Sequence, residues 1–137
     1  MNIIPHLNFN GQCKEAFDFY AELLDGEIKF SMTWGEMPGG ADQFPPETHK
    51  LIMHTTLEVD GHLLMGADSP PDRYTEPKGM TVSIGVKDKG KGERVFNALA
   101  KDGKVTMPFE QTFWSQGFGM CVDRFGIPWM VNTEQQP

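Results

Sequence analysis

The sequence is poor in cysteine, in long apolar runs and in positive charge, and each shortage excludes a class of protein. Only Cys13 and Cys121 occur in 137 residues, and neither belongs to a CxxC pair, so a disulfide scaffold is excluded and a reduced, cytoplasmic setting is predicted. No stretch approaches the roughly 18–20 apolar residues of a membrane-spanning helix. Twelve basic against 19 acidic side chains give a net charge of −7, which argues against nucleic-acid or membrane partners.

Several catalytic motifs are also missing. The sequence has no HExxH zinc motif, no GxSxG nucleophile turn and no GxxxxGK[ST] phosphate loop. No glycine-rich turn joins a strand to a helix in the manner of an adenosyl-cofactor site, which argues against a methyltransferase. Residues 1–6 include neither a basic segment nor a long apolar run, so we expect no signal peptide.

What the sequence does contain is an internal repeat, seen with a shift of 77 positions and, further along, a shift of 65. The aligned pairs are Leu7 with Ile84, Phe9 with Val86, Phe19 with Phe96, Asp25-Gly26 with Asp102-Gly103, Gly61 with Gly126, Leu64 with Trp129, and Met65 with Met130. Two copies of one supersecondary unit predict two half-sites related by a pseudo-twofold axis. A cleft between such repeats is a common place to bind a small molecule.

Hydrophobic periodicity predicts the element order β-α-β-β-β in both halves. In the first half we expect strands at 3–9, 27–34, 51–59 and 62–67, a helix from Cys13 to Leu24 that Gly26 ends, and a hairpin turn at Asp60-Gly61. In the second half we expect strands at 79–86, 104–109, 117–122 and 128–132, and a helix at 93–102 that Gly103 ends. The basic run 87–94 is interpreted as a solvated turn, because lysine is unfavourable at a helix start.

The two shifts differ by 12, which places about a dozen extra residues of the first half in the loop 35–50. Such a loop is either a functional lid or a solvated insertion. The predicted fold class is α+β, with 1–137 as a single domain made of two modules, 1–68 and 78–137, and a linker at 69–77. Because each module has one helix to cover one sheet face, we expect the halves to share a buried surface.

Two parts of the sequence resemble a known group of proteins, the vicinal oxygen chelate (glyoxalase/bleomycin resistance/extradiol dioxygenase) superfamily. The helix segment 16–26 (AFDFYAELLDG) is similar to the first helix of that superfamily. The tail segments 113–119 (FWSQGFG) and 123–132 (DRFGIPWMVN) resemble more narrowly its PhnB-like branch, also called 3-demethylubiquinone methyltransferase-like. The segment 31–38 (SMTWGEMP), His54 and Asp68 fit the same branch.

The resemblance implies paired βαβββ modules that form a half-barrel, assembly as a homodimer, and a concave site lined by the sheet. It leaves the activity open, since this fold hosts several chemistries and some proteins that only bind. One hypothesis is a small-molecule-binding protein with a lyase or isomerase activity of the glyoxalase kind. The alternative is a non-catalytic binder that sequesters its ligand, as bleomycin resistance proteins do.

Enzymes of this superfamily hold a divalent ion with one ligand from the first and one from the last strand of each module. Here the first-strand places fall near Ile4 or His6 and near Thr81 or Ser83, and the last-strand places fall on Met65 and Met130. A thioether is a soft ligand and a poor partner for zinc or magnesium. We therefore expect no cofactor. In the alternative, a divalent metal binds His6 and His54 with Asp68, Glu36 or Glu58 as the third ligand.

The candidate catalytic residues are His6 and His54, because a neutral imidazole can carry a proton near pH 7. The alternative for His6 is a satisfied, half-buried histidine, and the alternative for His54 is a position on a solvent-facing or interface face. The candidate ligand-binding residues are Trp34, Met65, Ser83, Trp114 and Met130. Indoles can form the wall of a pocket and donate an N–H, and methionines adapt to varied apolar ligands, although both also serve as core residues. The expected partners are an unidentified small organic molecule and a second copy of the chain.

Overall fold

The computed structural model of the protein describes residues 1–70 and 72–134. The chain divides into two compact units, Met1–Thr75 and Glu76–Pro137. Each unit contains one four-stranded sheet. No helix within the described residues is long and apolar enough to cross a membrane.

Unit 1 has the order β-α-β-β-β with two short helical turns in its long loop. Its elements are β1 (His6–Phe9), α1 (Cys13–Leu23), β2 (Glu27–Thr33), α2 (Gly40–Gln43), a 3-10 turn (Pro46–Thr48), β3 (Ile52–Val59) and β4 (His62–Asp68). The strand order across the sheet is β1-β4-β3-β2, with β1 parallel to β4 and the other pairs antiparallel. The last strand therefore lies between the first strand and the hairpin partner.

Unit 2 repeats this plan without the extra turns. Its elements are β5 (Val82–Val86), α3 (Lys89–Ala100), β6 (Lys104–Glu110), β7 (Phe118–Val122) and β8 (Pro128–Thr133). The strand order is β5-β8-β7-β6, again with the first strand parallel to the last. The predicted α+β class with two βαβββ modules is confirmed, and the register reproduces the repeat: His6 pairs with Met65, and Ser83 pairs with Met130.

One face of each sheet packs against its helix. Each helix buries four residues. These are Cys13, Ala16, Phe17 and Tyr20 in α1, and Gly92, Val95, Phe96 and Leu99 in α3. Each large apolar side chain buried in this way stabilises the fold by about 1.5–3 kcal/mol. A Cβ on Gly66 would lie 2.5 Å from Cε1 of Phe17, so only glycine lets α1 approach β4 this closely.

A buried carboxylate from the sheet caps the start of α1. Asp68, which is 2% exposed, accepts hydrogen bonds from the backbone N–H groups of Gly11 (2.9 Å) and Cys13 (3.0 Å) through Oδ1. Its Oδ2 accepts a third bond from the N–H of Ile52 at 2.9 Å. Gln12, the residue before the helix, makes no capping bond with its own side chain. Asp68 therefore joins the end of β4, the start of α1 and the start of β3.

The structure corrects three predictions of local detail. Helix α3 begins at Lys89, four residues earlier than predicted, because Asp88 accepts a bond from the N–H of Lys91 at 2.8 Å and caps it. The run at 87–94 is thus largely helical. The left-handed residue that follows each helix is an aspartate, Asp25 (φ 54°) or Asp102 (φ 60°), and not the glycine after it. The first strands begin three residues later than predicted, at positions 6 and 82.

Candidate functional site

The far face of each sheet, defined as the face opposite its helix, carries five of the seven predicted site residues, namely His6, His54, Met65, Ser83 and Met130. Side chains paired in register across neighbouring strands lie on the same face. In unit 1 one row across the far face is His6, Met65, Thr56 and Phe30. The next row brings His54 beside Met32. Thr56 and His54 are half-buried, whereas Leu57 on the helix face is fully buried, so this face is mixed in polarity.

Two imidazoles meet on the far face of unit 1. The ring centroids of His6 and His54 are 6.1 Å apart, and the rings are inclined by 27°. His54 also lies 5.9 Å from the ring of Phe30, and its Nε2 is 3.1 Å from Oγ1 of Thr56. Partial burial, and secondly the neighbouring His54, lower the pKa of His6 below its usual value. His6 is therefore neutral at pH 7 and can accept a proton.

The far face of unit 2 is richer in thioethers. Its central row is Ser83, Met130, Met120 and Met107. The next row pairs Asn132 with Phe118. The Oδ1 atom of Asn132 is buried and has no hydrogen-bond partner among the residues that the structure describes. A buried acceptor of this kind lacks the bond that nearly all such groups make, so Asn132 is a polar contact point in an otherwise apolar row.

Trp114 stands at the edge of this second face on a short loop. It is 44% exposed and packs edge-to-face on Phe118, with ring centroids 5.4 Å apart. The loop is held by Ser115, which is fully buried: its Oγ lies 2.8 Å from the carbonyl oxygen of Gly117 and 2.6 Å from that of Thr133. The motif residues 114–117 thus place an indole next to the thioether row.

Trp34 lines a separate cavity in unit 1. The cavity measures about 210 Å³, and its walls are Trp34, Phe44, Pro45, Thr48, Leu51, Pro70 and Asp72. The rings of Trp34 and Phe44 meet edge-to-face at 4.9 Å. Nε2 of His49 lies 2.8 Å from the carbonyl oxygen of Phe44, and the loop contains two helical turns. The loop 35–50, expected to be either a lid or a solvated insertion, thus contains two helical turns and contributes to the walls of an apolar cavity.

The side chains of these faces do not fit the hard divalent ion that the superfamily pattern implies. Asp68 is occupied by three backbone N–H groups, and Glu36 accepts from N and Oγ1 of Thr33. Within residues 1–70 and 72–134, no group of three His, Cys, Asp or Glu side chains is placed to hold a metal ion. His6 and Ser83 stand at the first-strand places and thioethers at the last-strand places. No step of chemistry is therefore assigned to such an ion.

Fold comparison defines the class of protein. The chain matches the glyoxylase/bleomycin resistance protein/dioxygenase domain from Frankia sp. EAN1pec with a TM-score of 0.62 at 12% identity, covering 98% of both chains. It matches the fosfomycin resistance protein FosX from Listeria monocytogenes with a TM-score of 0.64 at 7% identity, covering 98% of this chain and 93% of the other. At such identities the likeness shows the fold alone, which is that of the glyoxalase/bleomycin resistance/dioxygenase superfamily.

The family within that class follows from the sequence. The model of the family described as 3-demethylubiquinone-9 3-methyltransferase matches residues 1–132, so the chain belongs to this family, the PhnB-like branch. The Escherichia coli (strain K12) protein YjdN is 34% identical over 148 residues, which cover all of this chain and 99% of that protein.

Two solved structures are similar in both sequence and fold. The protein PA1353 from Pseudomonas aeruginosa is 42% identical, with a TM-score of 0.90 and 99% coverage of both chains. A PhnB protein from Bacillus cereus is 27% identical, with a TM-score of 0.82, covering 97% of this chain and 99% of that one. The resemblance noted in the helix and tail segments is thereby confirmed.

Sequence reasoning missed several residues of the two far faces. Phe30, Met107 and Asn132 lie on them but were not among the candidates. The repeat held a usable signal for two of them, because the shift of 77 aligns Phe30 with Met107. Asn132 is the last residue of the tail motif 123–132, but its buried, unpaired oxygen is visible only in the folded unit.

Proposed function

We propose that this protein binds a small organic molecule against the far face of one of its sheets. The observation that carries the proposal is the composition of the two far faces. Where a core face would be uniformly apolar and buried, these rows combine half-buried thioethers, aromatic rings, imidazoles and the amide of Asn132. Polarizable side chains adapt to an apolar ligand body, and a few polar groups fix its orientation.

The chemistry proposed for the site is proton transfer without a metal ion. Neutral His6 can accept a proton from the ligand, and either the resulting His6 imidazolium or an N–H of His54 can donate one at another ligand atom, which is the minimum for a lyase or isomerase of the glyoxalase kind. The same face without turnover would make a binder that sequesters its ligand. The free, buried thiols of Cys13 and Cys121 support a cytoplasmic location, and we further propose a homodimer.

The test begins with native mass spectrometry of the purified full-length protein, which would identify a co-purified ligand. Calorimetric titration should then show that Met130→Glu binds that ligand at least tenfold more weakly than the natural sequence does, because the substitution places a charge in the thioether row. Met80→Glu is the matched control, because Met80 is 80% exposed. Equal affinities in both variants would refute the proposed face.

A second measurement separates the enzyme from the binder. An enzyme that moves a proton through His6 or His54 exchanges a ligand C–H with solvent deuterium, which NMR detects directly. The exchange rate should fall at least a hundredfold in His6→Ala or in His54→Ala, since general acid–base groups contribute about 10²–10⁴-fold. Tight binding with no exchange in the natural sequence would establish the sequestering alternative.

A further inference from the structure

Three neutral, soft or borderline donor side chains lie on neighbouring strands of the far face of unit 1. In the order β1-β4-β3, the strand that carries Met65 lies between the strands that carry His6 and His54. Met65 is the direct register partner of His6. The next far-face residue of β4 is the small Ala67.

The spacing of the imidazoles suits a shared ion. Two imidazoles bound end-on, each with a nitrogen about 2.0 Å from the ion, hold their ring centroids roughly 6 Å apart when the arrangement is near linear. The observed separation is 6.1 Å. The rings are stacked at 27°, so binding of a shared ion requires rotation about the side-chain bonds to aim one nitrogen of each ring at that ion.

One of these rings already has an orienting partner. Nε2 of His54 lies 3.1 Å from Oγ1 of Thr56. When the threonine oxygen accepts from Nε2–H, the tautomer is fixed and Nδ1 keeps its lone pair. Bound metal sites use the same arrangement, in which the non-ligating nitrogen donates to a neighbouring oxygen.

We propose that His6, His54 and Met65 form a binding site for a soft monovalent metal ion, namely Cu(I), which Ag(I) can replace. The thioether selects the class of ion, because sulfur ligands favour Cu(I) and imidazole tolerates it, whereas zinc, magnesium and calcium need carboxylates, thiolates or more imidazoles. None of the described acidic side chains joins this group. Because all three ligands are neutral, Cu(I) would leave one positive charge uncompensated at the site, whereas a divalent ion would leave two.

The two thiols of the chain are weak competitors for the ion. Both are buried, and burial, followed by a nearby aspartate, raises the pKa of each thiol, to about 11 for Cys121. Their thiolate forms, which bind metals, are therefore scarce at neutral pH. The site shares His6 and His54 with the proposed proton transfer, so Cu(I) binding is tested in the absence of any organic ligand.

The experiment is an anaerobic titration of the full-length protein with Cu(I) against a chromophoric Cu(I) chelator, with Zn(II) in parallel. We expect one Cu(I) per chain and Zn(II) binding at least a hundredfold weaker. His6→Ala, His54→Ala and the volume-conserving Met65→Leu should each weaken Cu(I) binding at least tenfold. The matched controls are His62→Ala and Met80→Leu, at two exposed positions, and they should bind Cu(I) as the natural sequence does.

A direct readout guards against variants that merely unfold. Addition of Ag(I) to protein with labelled methionine methyl groups should shift the Met65 signal and leave the Met80 signal in place. Unchanged Cu(I) affinity in the histidine variants, or an unmoved Met65 signal, would overturn the site. If the protein binds an organic ligand but not Cu(I), only the metal site is refuted. If it binds Cu(I) but no organic ligand, only the proposed function is refuted.

Discussion

Replacing Asp68 should destabilise unit 1 more than replacing any exposed carboxylate. Its two oxygens accept from three backbone N–H groups, those of Gly11, Cys13 and Ile52. Alanine would leave these donors without their acceptor, and each of the two buried ones, Cys13 and Ile52, costs about 1–3 kcal/mol when unpaired, which sums to about 2–6 kcal/mol. The upper end of that range reaches the whole stability of a typical domain, about 5–15 kcal/mol.

Asparagine gives the smaller and more informative change at position 68. Its one carbonyl oxygen can still accept from two N–H groups at the start of α1, but its amide nitrogen would face the N–H of Ile52. One lost acceptor predicts a loss of about 1–3 kcal/mol. Asp18→Asn is the matched control, because the ion pair of Asp18 with Lys14 is exposed and such pairs contribute about 0–1 kcal/mol.

The assay is urea unfolding of the three variants, followed by circular dichroism, with stability taken from the transition midpoint. The expected order of destabilisation is Asp68→Ala, then Asp68→Asn, then Asp18→Asn. If both changes at position 68 shift stability by less than about 0.5 kcal/mol, the size typical of an uninvolved surface site, then the carboxylate does not hold these three donors.

Three further predictions test other parts of the structure. Ser115→Ala should cost about 1–3 kcal/mol in urea unfolding by removing a buried hydroxyl partner of two carbonyl groups, whereas exposed Ser31→Ala should cost almost nothing; equal effects would contradict the role of Ser115. Gly66→Ala should cost about 1–3 kcal/mol because its Cβ meets Phe17, and a neutral result would show that α1 can move away. Because the pKa of His6 is lowered, the folded state binds a proton at His6 less readily than the unfolded chain does. The stability that neutral His6 contributes to the fold is therefore fully present above about pH 6.5, and it declines as the pH falls from there towards the folded pKa. His6→Ala should therefore lose less stability than the natural sequence between pH 7 and pH 5, and parallel curves would contradict the assignment.

The repeat made most of the fold predictable, because hydrophobic spacing predicts each helix and strand and the same order of elements is predicted independently in both halves. Helix α1 could be predicted from its apolar positions at 13, 16, 17 and 20. The start of α3 could not, since the segment Lys89 to Gly92 has two glycines, which disfavour helix. The structure supplies the reason for Gly92: a Cβ there would lie 3.0 Å from Oγ1 of Thr133, so tertiary packing overrides local propensity.

The candidate site was predictable only in part. Strand periodicity and the repeat place His6, Met65, Ser83 and Met130 at equivalent positions, and the register agrees. The meeting of His6 with His54 depends on β4 lying between β1 and β3, and that order is a property of the folded sheet. The cavity beside Trp34 likewise depends on how loop 35–50 folds.

Comparison of the two units shows where the repeat is retained and where it has diverged. Both helices end on a left-handed aspartate, and the following glycine, Gly26 or Gly103, lies against a backbone carbonyl, so neither corner admits a side chain. This corner sets the angle between helix and sheet and serves any ligand equally. The far faces share no such constraint. The equivalent rows are His6–Met65–Thr56–Phe30 in unit 1 and Ser83–Met130–Met120–Met107 in unit 2, and only one position keeps the same residue. The two faces therefore differ at three positions of four: the imidazoles belong to unit 1, whereas three of the four residues in the corresponding row of unit 2 are methionines.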